Sequence, residues 1–484
     1  MLEAVTWLAA RVRGALGDDT SDSAQMFAMA SLSATSLEVL RHYSAGREAS
    51  STGKLDEARR SYAKTVELDP KFGIGYQALA TLSLNLGNRQ DAEKYFKEAL
   101  RYLDSMTERE RYTTRGMYYR MTGDYEQCVK EYTDLIARYA ADVLAHNNLA
   151  LCSTFLRNMP RALAEMQQAV RILPNRALFR INLALYASYA GDFQIGEQEA
   201  RIAQKLGSPL ALIPLSFAQL GQGQLSQTAQ TYQQLEKVDA LGPTAASHAA
   251  AGLGDLAVFE GRLSDAVRIL REGAARDLAV NNADRAAAKF VYLAYAELLR
   301  GQPRAAIAAV ENALTNTKAV KIRFLAARSL VEAGDTDRAR PLIAGLASEL
   351  QSEPQAYAKI VEGGIALKDG DRRQAIKVLI EANTLLDTWI GHFDLGRAYF
   401  EAGAFAQADS EFDRCLKRRG EALSLFLDEE PTYGYFPPVY YYQGRVREAL
   451  NNVGFAESYR AYLTIRGQSK EDRLLPEVRH RVGG

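Results

Sequence analysis

The chain has 484 residues, of which 47% are hydrophobic and 24% charged, the composition of a folded water-soluble protein. Its 59 basic and 59 acidic residues cancel, so it lacks the global basic field that nucleic acid or an anionic membrane would attract. No apolar run reaches the ~18 residues of a membrane-crossing helix. The three cysteines, Cys128, Cys152 and Cys415, are odd in number, far apart and on predicted helices. They read as small buried hydrophobes, which points to a reducing compartment or to one where disulfides are not needed.

The chain opens on a short amphipathic helix over residues 2–16, where Leu2, Val5, Leu8, Val12 and Leu16 recur at helical spacing. No basic residue precedes its apolar stretch and no small-residue cleavage site follows, so it is not read as a signal peptide. It either caps the array that follows or docks on another chain with Trp7 as anchor. GDDTSDS, residues 17–23, makes a turn, and a second helical stretch completes a region assigned to residues 1–37.

From residue 38 a degenerate unit of about 34 residues repeats. Its sharpest copy is GIGYQALATLSLNLGNRQDAEKYFKEAL, from Gly73 to Leu100. A residue suited to left-handed backbone closes the first helix of each unit. These are Gly53, Gly87, Gly123, Gly191, Gly223, Gly261, Gly301, Gly334, Gly370 and Gly403. Arg157 and Asn451 fill the same place in two further copies. Asn suits that backbone and Arg does not, so the turn at Arg157 is expected to be built differently. Five residues on, Ala58, Ala92, Ala162, Ala266, Ala306, Ala339, Ala375, Ala408 and Ala456 let the second helix press on the first. Four further on, Tyr62, Phe96, Tyr132, Tyr232 and Phe412 fill the gap between helices. Pro70 and Pro174 stop second helices. Twelve hairpins follow over residues 38–466.

The interval before Asn451 is the longest and holds an insertion at about 417–437. In it Asp428, Glu429 and Glu430 precede Tyr433, Tyr435 and Phe436. It either packs into the array and closes its groove or binds a partner; aromatic-rich loops usually bury themselves, which favours packing. Residues 467–484 read as a C-terminal tail.

This frame resembles the tetratricopeptide repeat. Gly46, Gly116, Gly254, Gly396 and Gly444 match its small residue at the eighth position, and Asp394–Leu416 and His146–Pro174 come close to whole units. The resemblance implies an all-α fold, a right-handed superhelix of about twelve hairpins whose first helices line a concave groove. A more particular likeness is carried by AVTWLAARVRGALGD and SLEVLRHYSAGREA at the start and by WIGHFDLGRAYFEAGAF and LFLDEEPTYGYFPPVYYYQGRVRE near the end. It is to the array of large bacterial signalling proteins that carry a Ser/Thr kinase, a nucleotide cyclase or a DNA-binding domain upstream. No such domain precedes the array here, so the chain reads as a stand-alone homologue or a fragment.

The sequence holds no phosphate-binding GxxxxGK[ST], kinase catalytic loop, HExxH, GxSxG or CxxC motif. His42, His146 and His392 share one repeat position and read as structural, and the histidines do not cluster as metal ligands would. No catalytic, cofactor or metal residue is assigned, and the chain reads as non-enzymatic. The candidate site is the concave face: Asn148, Asn182, Tyr292, Tyr295, Arg328, Arg397, Tyr441 and Arg445, with Tyr189 and Phe393 also inward. Tyr and Arg dominate binding hot spots. Asn148 and Asn182 share a position in consecutive units, where stacked amides can hold an extended main chain or can bond the neighbouring helix. The expected function is a scaffold that binds a protein or extended peptide, without nucleic acid or cofactor. The alternative is the regulatory module of a kinase or cyclase system. A cytoplasmic location is expected, or an extracytoplasmic one if a membrane helix precedes the array.

Overall fold

The computed structural model describes residues 33–34, 36–51, 54–86 and 88–483. The expected helix over residues 2–16 with Trp7, and the turn residues Gly53 and Gly87, lie outside the described residues. All regular structure among those residues is helical, and it forms two compact units that meet in sequence between Pro174 and Asn175.

The first unit stacks four hairpins: α1 (Leu37–Ser51) with α2 (Leu55–Leu68), α3 (Gly73–Asn85) with α4 (Arg89–Arg101), α5 (Glu108–Thr122) with α6 (Tyr125–Arg138), and α7 (Val143–Phe155) with α8 (Met159–Ile172). The second stacks eight. Its first four are α9 (Ala177–Tyr189) with α10 (Phe193–Lys205), α11 (Leu212–Gly221) with α12 (Leu225–Glu236), α13 (Pro243–Phe259) with α14 (Leu263–Ala279), and α15 (Ala283–Leu299) with α16 (Pro303–Asn316). The rest are α17 (Val320–Ala333) with α18 (Thr336–Ala347), α19 (Ser352–Lys368) with α20 (Arg372–Leu385), α21 (Trp389–Glu401) with α22 (Phe405–Lys417), and α23 (Pro438–Ala449) with α24 (Phe455–Arg466). A last helix, α25 (Leu475–Gly483), packs on α24. The described residues form an all-α repeat solenoid with twelve hairpins, as the spacing predicts.

Each repeated residue type has a visible task. Ala58, Ala92, Ala162, Ala266, Ala306, Ala339, Ala375 and Ala408 are fully buried where two helices press together. Tyr62, Tyr132 and Phe412 fill the space that Gly46, Gly116 and Gly396 leave on the facing helix; a Cβ there would stand 2.5–2.7 Å from the ring. The turn is left-handed at Gly123 (φ +80°) and at Asn451 (φ +54°). It is left-handed at Arg157 too (φ +62°), which corrects the expectation of a different turn there. The next residue, Asp or Asn, then caps the second helix: Asn88, Asp124, Asn158, Asp192, Asp335 and Asp371 each accept from the backbone N–H three residues on.

The cysteine reading is corrected. Cys128 and Cys152 form a disulfide that ties α6 to α7, and Cys415 is free and buried. Cys128 takes the small-residue place five after Gly123, which the next hairpin's first helix covers. The stacking of hairpins, invisible in residue spacing alone, brings the two sulfurs together. No helix among the described residues is long and apolar enough to cross a membrane.

In the second unit the chain returns on itself. Ser469 Oγ donates to the Gly261 carbonyl at 2.6 Å, and Glu471 accepts from the Ser264 N–H at 2.8 Å and pairs with Arg300 at 3.4 Å. Arg466, 1% exposed, donates to the carbonyls of Val258 and Phe259 at the end of α13, to that of Gly434 and to Asp472. The last hairpin is thereby fixed to the turns that end α13 and α15.

Candidate functional site

The insertion fills much of the inner face of the second unit. Between α22 and α23, Gly420 to Phe436 is almost wholly buried. Its backbone passes so close to the end of α9 that a Cβ on Gly420 would sit 2.3 Å from the Ser188 carbonyl oxygen. Tyr189 donates to the Asp428 carbonyl at 2.5 Å. Asp255 of α13 receives the N–H groups of Tyr433 and Gly434, one on each carboxylate oxygen, at 2.9 and 2.8 Å. Burial pushes Asp255 up to about 7, and those two donors oppose the rise. Lys321 pairs with Asp428 at 2.8 Å and Arg285 with Glu430 at 3.3 Å. Burial opposes the charge on Glu430, but Lys321 and Arg285 outweigh it and hold the group down at about 2. His248, close to Arg285, is pushed down to about 4 by burial and by that guanidinium.

Groove rings receive the insertion's rings. Tyr295 stacks on Tyr435 at 3.9 Å, Phe259 on Tyr433 at 5.0 Å, and Phe324 meets Phe426 edge-on at 6.3 Å. Of the expected site residues, Tyr292 is 5% exposed and faces the insertion's acids, so it is part of the filled core.

Beside the insertion the face stays open. A cavity of about 280 Å³ has a mixed lining, with the charged groups of Arg328, Glu332, Lys368, Asp394 and Arg397 set against Val331, Ile360, Val361, Gly364 and Leu367. It shares Arg328, Glu332 and Arg397 with an apolar cavity of about 180 Å³, walled by Tyr295, Leu298, Phe393, Tyr435, Tyr442 and Leu474. Arg328 of α17 grips Asp394 of α21 with both arms, Nη2 to Oδ1 at 2.8 Å and Nη1 to Oδ2. Burial works against the guanidinium, and the Asp394 charge more than compensates, so Arg328 stays charged. Arg397 reaches Glu332 at 3.2 Å and Asp394 at 3.4 Å through Nη1, and its guanidinium carbon lies 6.0 and 5.8 Å from the ring centres of Phe393 and Tyr442. A third hollow, next along, is lined by Phe400, Glu401, Tyr441, Arg445 and Arg481. There Arg445 and Tyr441 both bond Glu477 of α25, at 2.8 and 2.9 Å.

The structure thus brings Tyr295, Arg328 and Arg397 together, sets Tyr441 and Arg445 beside them, and buries Tyr292. Asn148 belongs to the first unit, where its amide donates to the Tyr132 hydroxyl at 3.1 Å. Asn182, half-buried, belongs to the second. Asn148 thus bonds the neighbouring helix α6. Sequence reasoning missed Gly364, Glu332, Lys368 and Asp394. The adjacent Gly363 and Gly364 are a readable signal, since glycine inside a helix costs about 1 kcal/mol against Ala and needs a reason. The two have different reasons. A Cβ on Gly363 would stand 2.6 Å from Leu379, whereas one on Gly364 would face the cavity with only Val331 within 4 Å, at 3.9 Å.

The tetratricopeptide repeat family profile matches residues 43–105 and 113–177. A search of the curated proteins finds no significant match. Among solved structures, the chain is similar to PilW, a widely conserved type IV pilus biogenesis factor, at 15% identity and a TM-score of 0.35, over 43% of this chain and 98% of that one. It is similar to the human IFIT1 dimer with m7Gppp-AAAA at 15% identity and 0.40, over 81% and 90%. A third likeness is to the APC/C hetero-tetramer Cut9-Hcn1, at 12% identity and 0.30, over 92% and 97%. None of these comparisons bears on the likeness to bacterial signalling kinases.

Proposed function

We propose that the chain is a non-enzymatic scaffold whose array, residues 38–466, holds a peptide segment of a partner protein in the joined cavities around Arg328 and Arg397. One observation carries this reading. On a face that the chain fills with its own insertion, a stretch with a mixed, charge-bearing half and an aromatic half stays open, and a helix carries glycine where a side chain would close it. That is the make-up of a recognition pocket, an apolar cavity with a few fixed polar groups.

Arg328 is a poor handle for the test. Its loss would leave Asp394, 4% exposed, without its main partner and would weaken the fold. Gly364→Leu is the clean variant. It fills the mixed cavity, meets no steric conflict at its Cβ and improves helix propensity. A random peptide library panned on the immobilised chain is expected to yield a pool that the wild type retains and Gly364→Leu does not, with the melting temperature of the variant equal or higher. A pool that both chains hold equally would remove the cavity from the function.

A further inference from the structure

The insertion is a sample of what this face of the second unit accepts. Two of the three acids in its Asp428–Glu430 run meet cations of first helices, Asp428 on Lys321 and Glu430 on Arg285. Its rings lie on groove rings, Tyr435 on Tyr295 and Tyr433 on Phe259. One irregular segment thus sets acid against cation and ring against ring.

The open cavities continue that pattern where the insertion stops. Tyr435 is an insertion ring that forms part of the wall of the apolar cavity, with Phe393 and Tyr442 also lining it. Lys368 and Arg397 supply cations in the mixed cavity. The Lys368 ammonium is bonded to the Glu332 carbonyl oxygen at 2.9 Å and not to a carboxylate. Arg397 makes both of its carboxylate hydrogen bonds through Nη1. Asp394, the most buried acid of the wall, is gripped by Arg328. The wall's three cations, Arg328, Lys368 and Arg397, are matched by three acids, Glu332, Asp394 and Glu401, so a carboxylate alone is a weak ligand here, and a ring seated in the apolar half must add to it.

Resting on the pocket reading above, we propose that the partner segment is acidic–aromatic, with carboxylates against Lys368 and Arg397 and an aromatic side chain among Tyr295, Phe393 and Tyr435. The insertion and the partner would then be two ligands of one chemistry laid side by side on one face, the first tethered and the second exchangeable.

Three fluorescein-labelled peptides test this against the full chain by fluorescence anisotropy. They are DEEPTYGYF, which copies Asp428–Phe436, its counterpart with Lys for the three acids, and its counterpart with Ala for the three rings. The acidic–aromatic peptide is expected to bind the wild type and to lose binding to Gly364→Leu. Each counterpart is expected to bind about tenfold more weakly or worse, since one charge-assisted contact or one buried ring is worth about that factor. If a counterpart binds the wild type as well as DEEPTYGYF while Gly364→Leu still abolishes binding, the pocket stands and the acidic–aromatic assignment falls. If none of the three peptides distinguishes the wild type from Gly364→Leu, the acidic–aromatic assignment falls, and the pocket reading falls too only if the random library also fails to separate the two chains.

Discussion

Arg157 holds a left-handed turn at φ +62°, a conformation that costs an L residue with a Cβ about 1–2 kcal/mol. Eight glycines in the described residues take the same turn at no such cost, from Gly123 to Gly403. Arg157→Gly is therefore expected to raise the unfolding free energy by about 1 kcal/mol in a urea titration; an unchanged or lower value would mean that the Arg157 side chain contributes as much as the turn loses. A second residue-scale case is the repeated histidine. His146 bonds Glu165 and His392 bonds Glu411, each through Nδ1 at 2.6 Å and each 19 residues apart, and His392 also meets Asp387 at 2.5 Å. Burial opposes the imidazolium, but Asp387 and Glu411 outweigh it and leave His392 raised above its ordinary value. The stability it adds is full below the unfolded value near 6.5 and is lost as pH rises through the folded value. Unfolding free energy is expected to decline as pH rises above 6.5 in the wild type, and His392→Ala is expected to flatten that decline. An equally steep decline in the variant would assign it to other groups.

Among the elements, the insertion depends on two close approaches. Asp255 uses both carboxylate oxygens on the N–H groups of Tyr433 and Gly434, and Gly420 runs against the backbone of Ser188 and Tyr189. Asp255→Asn keeps the shape but points an amide N–H₂ at one backbone N–H, leaving a buried donor unmet at a cost of about 1–3 kcal/mol. Gly420→Ala forces backbone to move, because its Cβ would meet main-chain atoms at 2.3–2.7 Å. Both variants are expected to open the segment over residues 420–436 to limited proteolysis under conditions where the wild type resists; resistance equal to the wild type in both would mean that the ring stacking alone seats it. The hairpins themselves were legible because the pattern of turn residue, small residue and ring repeats many times, so chance agreement averages out. A single event has no such redundancy. The insertion announced itself by its length and its rings, yet its address on α9, α13, α15 and α17 depends on residues more than 100 positions away. For the same reason Arg328 reads as a hot spot in sequence, while its partner Asp394, 66 residues on, shows it to be half anchor.

At the scale of the whole molecule, the disulfide is a crosslink between successive hairpins of the first unit. In a solenoid each hairpin is stabilised by its neighbours and stability propagates along the stack. Cys128 and Cys152 join α6 to α7 across 24 residues, and closing a loop of that length removes about 3 kcal/mol of unfolded-chain entropy in the loop-closure model. Under denaturing, non-reducing conditions the protein is expected to release one titratable thiol per chain, Cys415, and after reduction three. Three thiols without reductant would disprove the pairing as the protein is isolated. The energetic consequence can be localised. Each sulfur is fully buried in the core that also holds Met117, Tyr132 and Leu149, so Cys152→Ala removes the crosslink and a small volume together. Comparing reduced wild type with Cys152→Ala separates the two, because reduction removes the crosslink alone. Hydrogen exchange followed by peptide mass spectrometry is expected to show α5–α8 losing protection on reduction. The interiors of α13 and α15, held by the insertion and by Arg466, should exchange as before, since they share no partner with the crosslink. Loss spread evenly over α13 and α15 as well would show that the two compact units unfold as one cooperative body, and the disulfide would then act on the whole array.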